Sequence, residues 1–221
     1  MMAFIARASG RWWFVAGALL LLCATGREAL AQDVPAIANA ESSAPALEAA
    51  LHGAELVSAL RKGGYVVYFR HAATDFSKND AGMTGFDDCE HQRPLSDPGR
   101  RDAAQIGQRI RTLGLARGEV LASPMCRTRE HAQLMMAEVS PRNDVREAAD
   151  GEYAGLKRLL ASPVRPGTNR WIVGHGMPFR AVAGPPQLAE GEAVVIRPAT
   201  THWTVVARLT VADWQALRGR R

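Results

Sequence analysis

Tyr65-Val66-Val67-Tyr68-Phe69-Arg70-His71-Ala72 is the stretch on which the reading of the fold turns. Its first half is a continuous β-branched and aromatic run, the mark of a strand buried on both faces, because a half-exposed strand alternates with polar residues. Arg70 and His71 stand where that strand ends. A second apolar run, Trp171-Ile172-Val173-Gly174, ends on His175, 104 residues after His71. Open α/β sheets place their ligands at strand ends. A guanidinium grips phosphate through two parallel N–H groups, and an adjacent imidazole can attack phosphorus or donate a proton. The two strand-end histidines, one of them behind an arginine, therefore point to phosphate chemistry.

Outward from these strands, helical and extended patterns alternate. Leu47, Leu51, Leu56 and Leu60 recur at helical spacing over residues 46–61, and Gly63-Gly64 ends the run. Ser96-Asp97-Pro98 opens a second helix with a capping residue and an early proline, and Ala103, Ile106, Ile110 and Leu113 mark its buried face. Val120-Leu121-Ala122 is a short strand. Helices are predicted over 127–138 and 152–160, a strand over 170–173, and a short helix over 179–183. Two strands, 192–197 and 203–209, and a terminal helix at 211–217 complete the pattern. This alternation predicts an α/β fold, a three-layer α/β/α sandwich around a mostly parallel sheet. Residues 73–94 are polar and too numerous for an ordinary connection, which argues for a functional loop.

The amino-terminal segment reads differently. Arg7 and Arg11 precede an apolar stretch from Trp12 to Cys23, and Ala29-Leu30-Ala31 matches a small-x-small cleavage site. Residues 1–31 are expected to be a signal peptide cleaved after about Ala31, residues 32–45 a flexible leader, and residues 46–221 the folded domain. An uncleaved membrane anchor is the other reading of 12–25, and Cys23 after three leucines is a weak lipoprotein signal. Export to the periplasm or beyond follows from cleavage, with no membrane span afterwards.

The chain carries 27 basic and 22 acidic residues; without residues 1–31 the balance is 24 to 21. No basic run is interleaved with aromatics, so nucleic acid is not an expected partner. Cys89 and Cys126 remain after cleavage. An even count in an exported chain predicts a disulfide, the alternative being two buried thiols. Closing that loop is worth about 3–4 kcal/mol in the chain-entropy model.

Ser123-Pro124-Met125-Cys126-Arg127-Thr128 adds another arginine just after a strand, at the start of a helix, where unpaired N–H groups already favour an anion. With Arg70 it can enclose one phosphoryl group. The order Arg70-His71, Ser123-x-x-x-Arg127, Gly174-His175 resembles the histidine phosphatase superfamily in its phosphoglycerate mutase-like branch. The starts at Leu95-Ser96-x-x-Gly99 and Glu190-Gly191-Glu192-Ala193 resemble it as well, so the likeness runs from about 65 to 209.

The resemblance implies a phosphatase in which His71 attacks phosphorus and becomes a phosphohistidine. Arg70, Arg127 and His175 would hold the phosphoryl oxygens, with no metal and no cofactor. Ala72 stands where the family has glycine, a variant Arg-His-Ala motif, and His131 where it has threonine. The acid-phosphatase branch has an aspartate after its last histidine, but here Gly176 follows. The other branch draws its general acid from a glutamate in a spacing that Glu147-x-x-x-Gly151-x-x-x-Gly155-Leu156 fits, so Glu147 is the expected proton donor and Asp75 its rival. Only 48 residues separate Arg127 from His175, which implies a small cap, an open pocket and low selectivity for the leaving group. The expected substrate is a phosphorylated small molecule or a cell-envelope phosphate. The second reading is a phosphate- or phosphoprotein-binding module with weak or no catalysis, for which Ala72 speaks. A mutase is third, and export disfavours it.

Overall fold

The computed structural model describes residues 50–146 and 152–219. The expected signal peptide and leader, and Glu147, lie outside the described residues. In chain order the elements are α1 (Gly53–Lys62), β1 (Val66–Arg70), α2 (Asp97–Thr112), β2 (Val120–Ala122), α3 (Cys126–Met136) and β3 (Ser140–Pro141). A 3-10 turn (Asn143–Val145), α4 (Ala154–Ala161), β4 (Arg170–Gly174), α5 (Gly176–Ala183), β5 (Ala193–Ala199), β6 (His202–Leu209) and α6 (Val211–Ala216) follow.

The six strands form one sheet in the order β3-β2-β4-β1-β5-β6. β3, β2, β4 and β1 are parallel, and the β5–β6 hairpin adds two antiparallel strands beside β1. Although β1 is apolar and buried from Val66 to Phe69, its side chains divide by parity between two layers. Val67 and Phe69 join Trp171 and Val173 in a core with α1, α2, α3 and α6. Val66 and Tyr68 join Ile172 in a second core with α4 and α5. Covering both faces is what demands an uninterrupted apolar strand. The fold is the expected α/β sandwich with a mostly parallel sheet.

Two differences from the sequence reading have a plain physical cause. α1 starts at Gly53, later than the leucine spacing suggests: His52 is extended and the Leu51 N–H is bonded to Val206 O at 2.7 Å, which ties this stretch to β6. β3 went unpredicted because a Ser-Pro pair has no apolar pattern; it is a two-residue strand at the sheet edge, where proline needs no ladder partner.

Candidate active site

Three neighbouring parallel strands bring the chemistry together. β4 lies between β2 and β1, so His175, just after β4, stands between Ser123, just after β2, and His71, just after β1. The last ladder bonds extend past the strands: His71 N–H donates to Gly174 O and Ser123 N–H to Val173 O, both at 3.0 Å. The Tyr68 hydroxyl reaches across the sheet, donating to His175 O at 2.9 Å and accepting from His175 N–H at 3.0 Å. A Cβ on Gly174 would lie 2.2 Å from that hydroxyl, so glycine before the histidine is a packing requirement.

The His71 ring is buried, and its Nδ1 lies 2.9 Å from Ala72 O. A carbonyl only accepts, so Nδ1 carries the proton and Nε2 keeps the lone pair. Burial above all brings His71 from 6.5 down to about 2; the Ala72 bond opposes this, while His175, Arg127 and Arg70 reinforce it. His71 is therefore a neutral imidazole with a free Nε2 at neutral pH, the state a nucleophile needs.

His175 meets the His71 ring edge-on, with centroids 5.5 Å apart. Its Nε2 is 2.8 Å from Ser123 Oγ, which also accepts from Met125 N–H at 3.3 Å. Ser123 is wholly buried, and among the described residues its proton has His175 Nε2 as its acceptor, which leaves the His175 proton on Nδ1. Burial first, then the charges of Arg127, Arg93, Arg70 and Arg146, lowers His175 to about 3. A phosphate dianion entering this field would oppose it and shift both histidines upward.

Arg127, second residue of α3, is buried and donates from Nη1 to both oxygens of Asp80, at 3.0 and 3.1 Å. Asp80 comes from the long loop after β1. That loop is pinned to α3 by the Cys89–Cys126 disulfide and by buried Gln92, whose Oε1 accepts from Cys126 N–H at 2.8 Å and caps the helix. The opening of α2 packs equally close on the chain after the nucleophile. A Cβ on Gly99 would sit 2.1 Å from Ala73 O, which accounts for glycine in the Leu95-Ser96-x-x-Gly99 start.

Arg70, His71, Arg127 and His175 are thus assembled at one end of the sheet. Asp75 is on the loop with its carboxylate turned to Ser77 N–H at 2.9 Å, and bonds from Ser77 hold its pKa below the usual range, which ill suits a proton donor. Glu190 was missed as a site residue. Its Oε1 accepts from Thr74 Oγ1 at 2.8 Å and lies 3.7 Å from Arg70 Nη2 and 4.0 Å from His71 Nδ1. β5 runs antiparallel beside β1 with Ala193 opposite Phe69, so residues just before Ala193 fall at the carboxyl end of β1. Glu190-Gly191-Glu192-Ala193 reads as a strand start in the sequence; the β1–β5 pairing is what sets Glu190 beside His71. His131 is fully buried: its Nδ1 accepts from Ala72 N–H at 3.0 Å and its ring meets Phe69 edge-on.

Among the described residues there is no group of three His, Cys, Asp or Glu side chains of a kind to hold a metal ion, and no helix long and apolar enough to cross a membrane.

A neutral strand-end imidazole beside another histidine and two guanidinium groups makes an α/β site whose charge and donors suit a phosphoryl group. The family model for the histidine phosphatase superfamily (branch 1) matches residues 66–184, more than half of the sequence, and the chain belongs to that superfamily. Among curated proteins none matches. Among solved structures, the protein histidine phosphatase SixA in complex with tungstate is similar at 14% identity and a TM-score of 0.51, covering 67% of this chain and 98% of that one. The putative phosphohistidine phosphatase SixA from Agrobacterium tumefaciens gives 17% and 0.49 over 66% and 97%. A variant of phosphoserine phosphatase from Entamoeba histolytica with phosphoserine gives 12% and 0.49 over 67% and 98%. At such identities the likeness is one of fold.

Proposed function

We propose that the chain is an exported phosphatase that hydrolyses phosphomonoesters through a phosphohistidine on Nε2 of His71. The observation that carries this reading is the tautomer of His71: its Nδ1–H is committed to Ala72 O, so the lone pair is on the nitrogen free to attack. Nε2 forms a bond to phosphorus as the phosphorus–oxygen bond to the leaving alcohol breaks, and Glu147 gives that oxygen its proton. Water then attacks phosphorus, its proton returns to Glu147, and inorganic phosphate leaves with His71 neutral again. Arg70, Arg127 and His175 supply donors to the equatorial oxygens, a role that metal ions fill elsewhere, so no metal is required. While Nε2 is bonded to phosphorus the His71 ring is cationic, and the Glu190 carboxylate, 4.0 Å from Nδ1, offsets that charge.

Acid-quenching a reaction with a labelled phosphomonoester tests this. A base-stable, acid-labile label that disappears in His71→Ala is expected. Phosphate binding with neither label nor turnover would favour the second reading, a phosphate- or phosphoprotein-binding module. The proton donor is tested separately: Glu147→Gln is expected to remove a limb of the pH–rate profile that Asp75→Asn retains.

A further inference from the structure

Two more arginines, Arg93 and Arg146, reach this end of the sheet without a part in the phosphoryl transfer. Arg93 ends the long loop. Its backbone N–H donates at 2.8 Å to Asp80 Oδ1, the oxygen that also takes Arg127 Nη1, so Arg93 is one carboxylate away from the phosphate-gripping guanidinium. Arg146 follows the 3-10 turn, whose last residue, Val145, is buried against Gly174; Val145 Cγ1 lies 3.0 Å from where a Gly174 Cβ would be, one residue before His175.

Each guanidinium rests on an aromatic ring of the same loop: Arg93 on Phe76, with Cζ 4.7 Å from the centroid, and Arg146 on Phe86 at 4.9 Å. These stacks fix the planes and leave the N–H edges free for hydrogen bonds. The Nε of each is buried without a partner. Nearby arginines are paired, Arg127 with Asp80, Arg129 with Asp87 and Arg142 with Asp144, whereas neither Arg93 nor Arg146 has a carboxylate among the described residues. Their charges are felt at His175.

We propose that Arg93 and Arg146 form a second anion subsite beside the phosphoryl site, and that favoured substrates are phosphomonoesters whose leaving group carries another phosphate. Two uncompensated guanidinium charges match a dianion rather than a single carboxylate. The inference rests on the phosphatase reading, and it replaces low leaving-group selectivity by selectivity for charge over scaffold.

A ruler of substrates tests it: the bisphosphates of ethanediol, propanediol and butanediol against their monophosphates. For at least one length, kcat/KM is expected to favour the bisphosphate by tenfold or more, beyond the statistical factor of about two for equivalent ends. Arg93→Gln and Arg146→Gln should each reduce that ratio several-fold while changing monophosphate turnover less. A ratio near two at every length, or equal losses on both substrate types, overturns the proposal, since the two charges would then serve only the transferred group. Calorimetric titration of His71→Ala with the same pairs reads the subsite without turnover. Absent turnover with tighter bisphosphate binding would defeat the catalytic reading alone; turnover without preference would defeat the subsite alone.

Discussion

Ala72 and His131 touch each other through the 3.0 Å bond from Ala72 N–H to His131 Nδ1. Ala72 is not among the positive-φ residues of the described chain, so its methyl causes no backbone strain. With Nδ1 accepting, the His131 proton is on Nε2, and the ring fixes the peptide that follows the nucleophile. His131→Ala should leave a buried N–H without an acceptor, costing about 1–3 kcal/mol, and should lower kcat more than it raises KM. His131→Asn, whose Oδ1 overlays Nδ1, should restore most of both. A thermal melt and a kcat–KM pair check this; equal losses in the two variants would leave His131 as mere packing. Glu190→Gln keeps shape and removes the charge opposite Nδ1. Formation of the phosphoenzyme should slow by about 10- to 100-fold, or about 1.4–2.7 kcal/mol, with the melting temperature nearly unchanged. Rapid-quench kinetics measures that step, and an unaltered rate would remove Glu190 from the reaction. Arg70, His71, Arg127 and His175 were legible in the sequence because each sits in a short local pattern at a strand or helix end. His131 and Glu190 were named with the motifs, but their roles were not legible, because those arise from contacts 59 and 119 residues distant, to Ala72 and to His71.

The loop between β1 and α2 is held at both its ends and its middle. Thr74 bridges Leu95, Asp75 N–H donates to Pro94 O at 3.0 Å, and Ser96 N–H to Ala73 O at 2.9 Å. Inside, the Asp88 carboxylate accepts from Thr84 N–H and Oγ1, and Gln92 Nε2 donates to Gly85 O and Phe86 O. The disulfide fastens this ordered polar loop to the start of α3, with Cα atoms 5.6 Å apart. Replacing both cysteines by serine should therefore reduce stability by about 3–4 kcal/mol in the chain-entropy model. It should also raise KM more than it lowers kcat, because the loop carries Asp80 and Arg93 but not His71. Denaturant midpoints and initial rates with and without a thiol reductant test this: reductant should carry the parent chain to the variant's values and leave the variant unmoved. Length alone marked this loop as functional, and counting cysteines suggested the staple. Its internal order is not legible beforehand, because aspartate, glutamine and glycine bond to backbone groups that no periodicity announces.

For the molecule as a whole, alternation of apolar runs with helical spacing was enough to indicate a parallel sheet covered on both faces, since only that arrangement buries a strand such as β1 completely. Which strand neighbours which was not legible, and it is the order β2-β4-β1 that sets His175 beside His71, while α3 lays His131 against Ala72; all three histidines are buried. Their burial has a consequence for acid stability. His131 has a folded pKa of about 4 because it is buried, against 6.5 when unfolded. Below 6.5 the unfolded chain takes up a proton that the folded chain refuses, so the stability present above pH 6.5 is lost as pH falls toward about 4, where the folded state is protonated too. The loss approaches about 1.4 kcal/mol per pH unit in that window for this residue, or about 2 kcal/mol by pH 5. His71 and His175, lowered to about 2 and about 3, act in the same direction. His131→Asn does not titrate. Its stability relative to the parent chain should therefore improve by about 2 kcal/mol on going from pH 7.5 to pH 5, whatever the difference at neutral pH. Urea midpoints at the two pH values measure it, and a pH-independent gap between the chains would mean that His131 takes up its proton in the folded state as readily as in the unfolded. Phosphate should counteract the acid loss in the parent chain, because an anion bound only by the folded state raises the pKa of His71 and His175 and adds its own binding free energy. The stabilisation by phosphate should grow as pH falls from 7 toward 5, opposite to what the anion's own protonation from dianion to monoanion would produce alone.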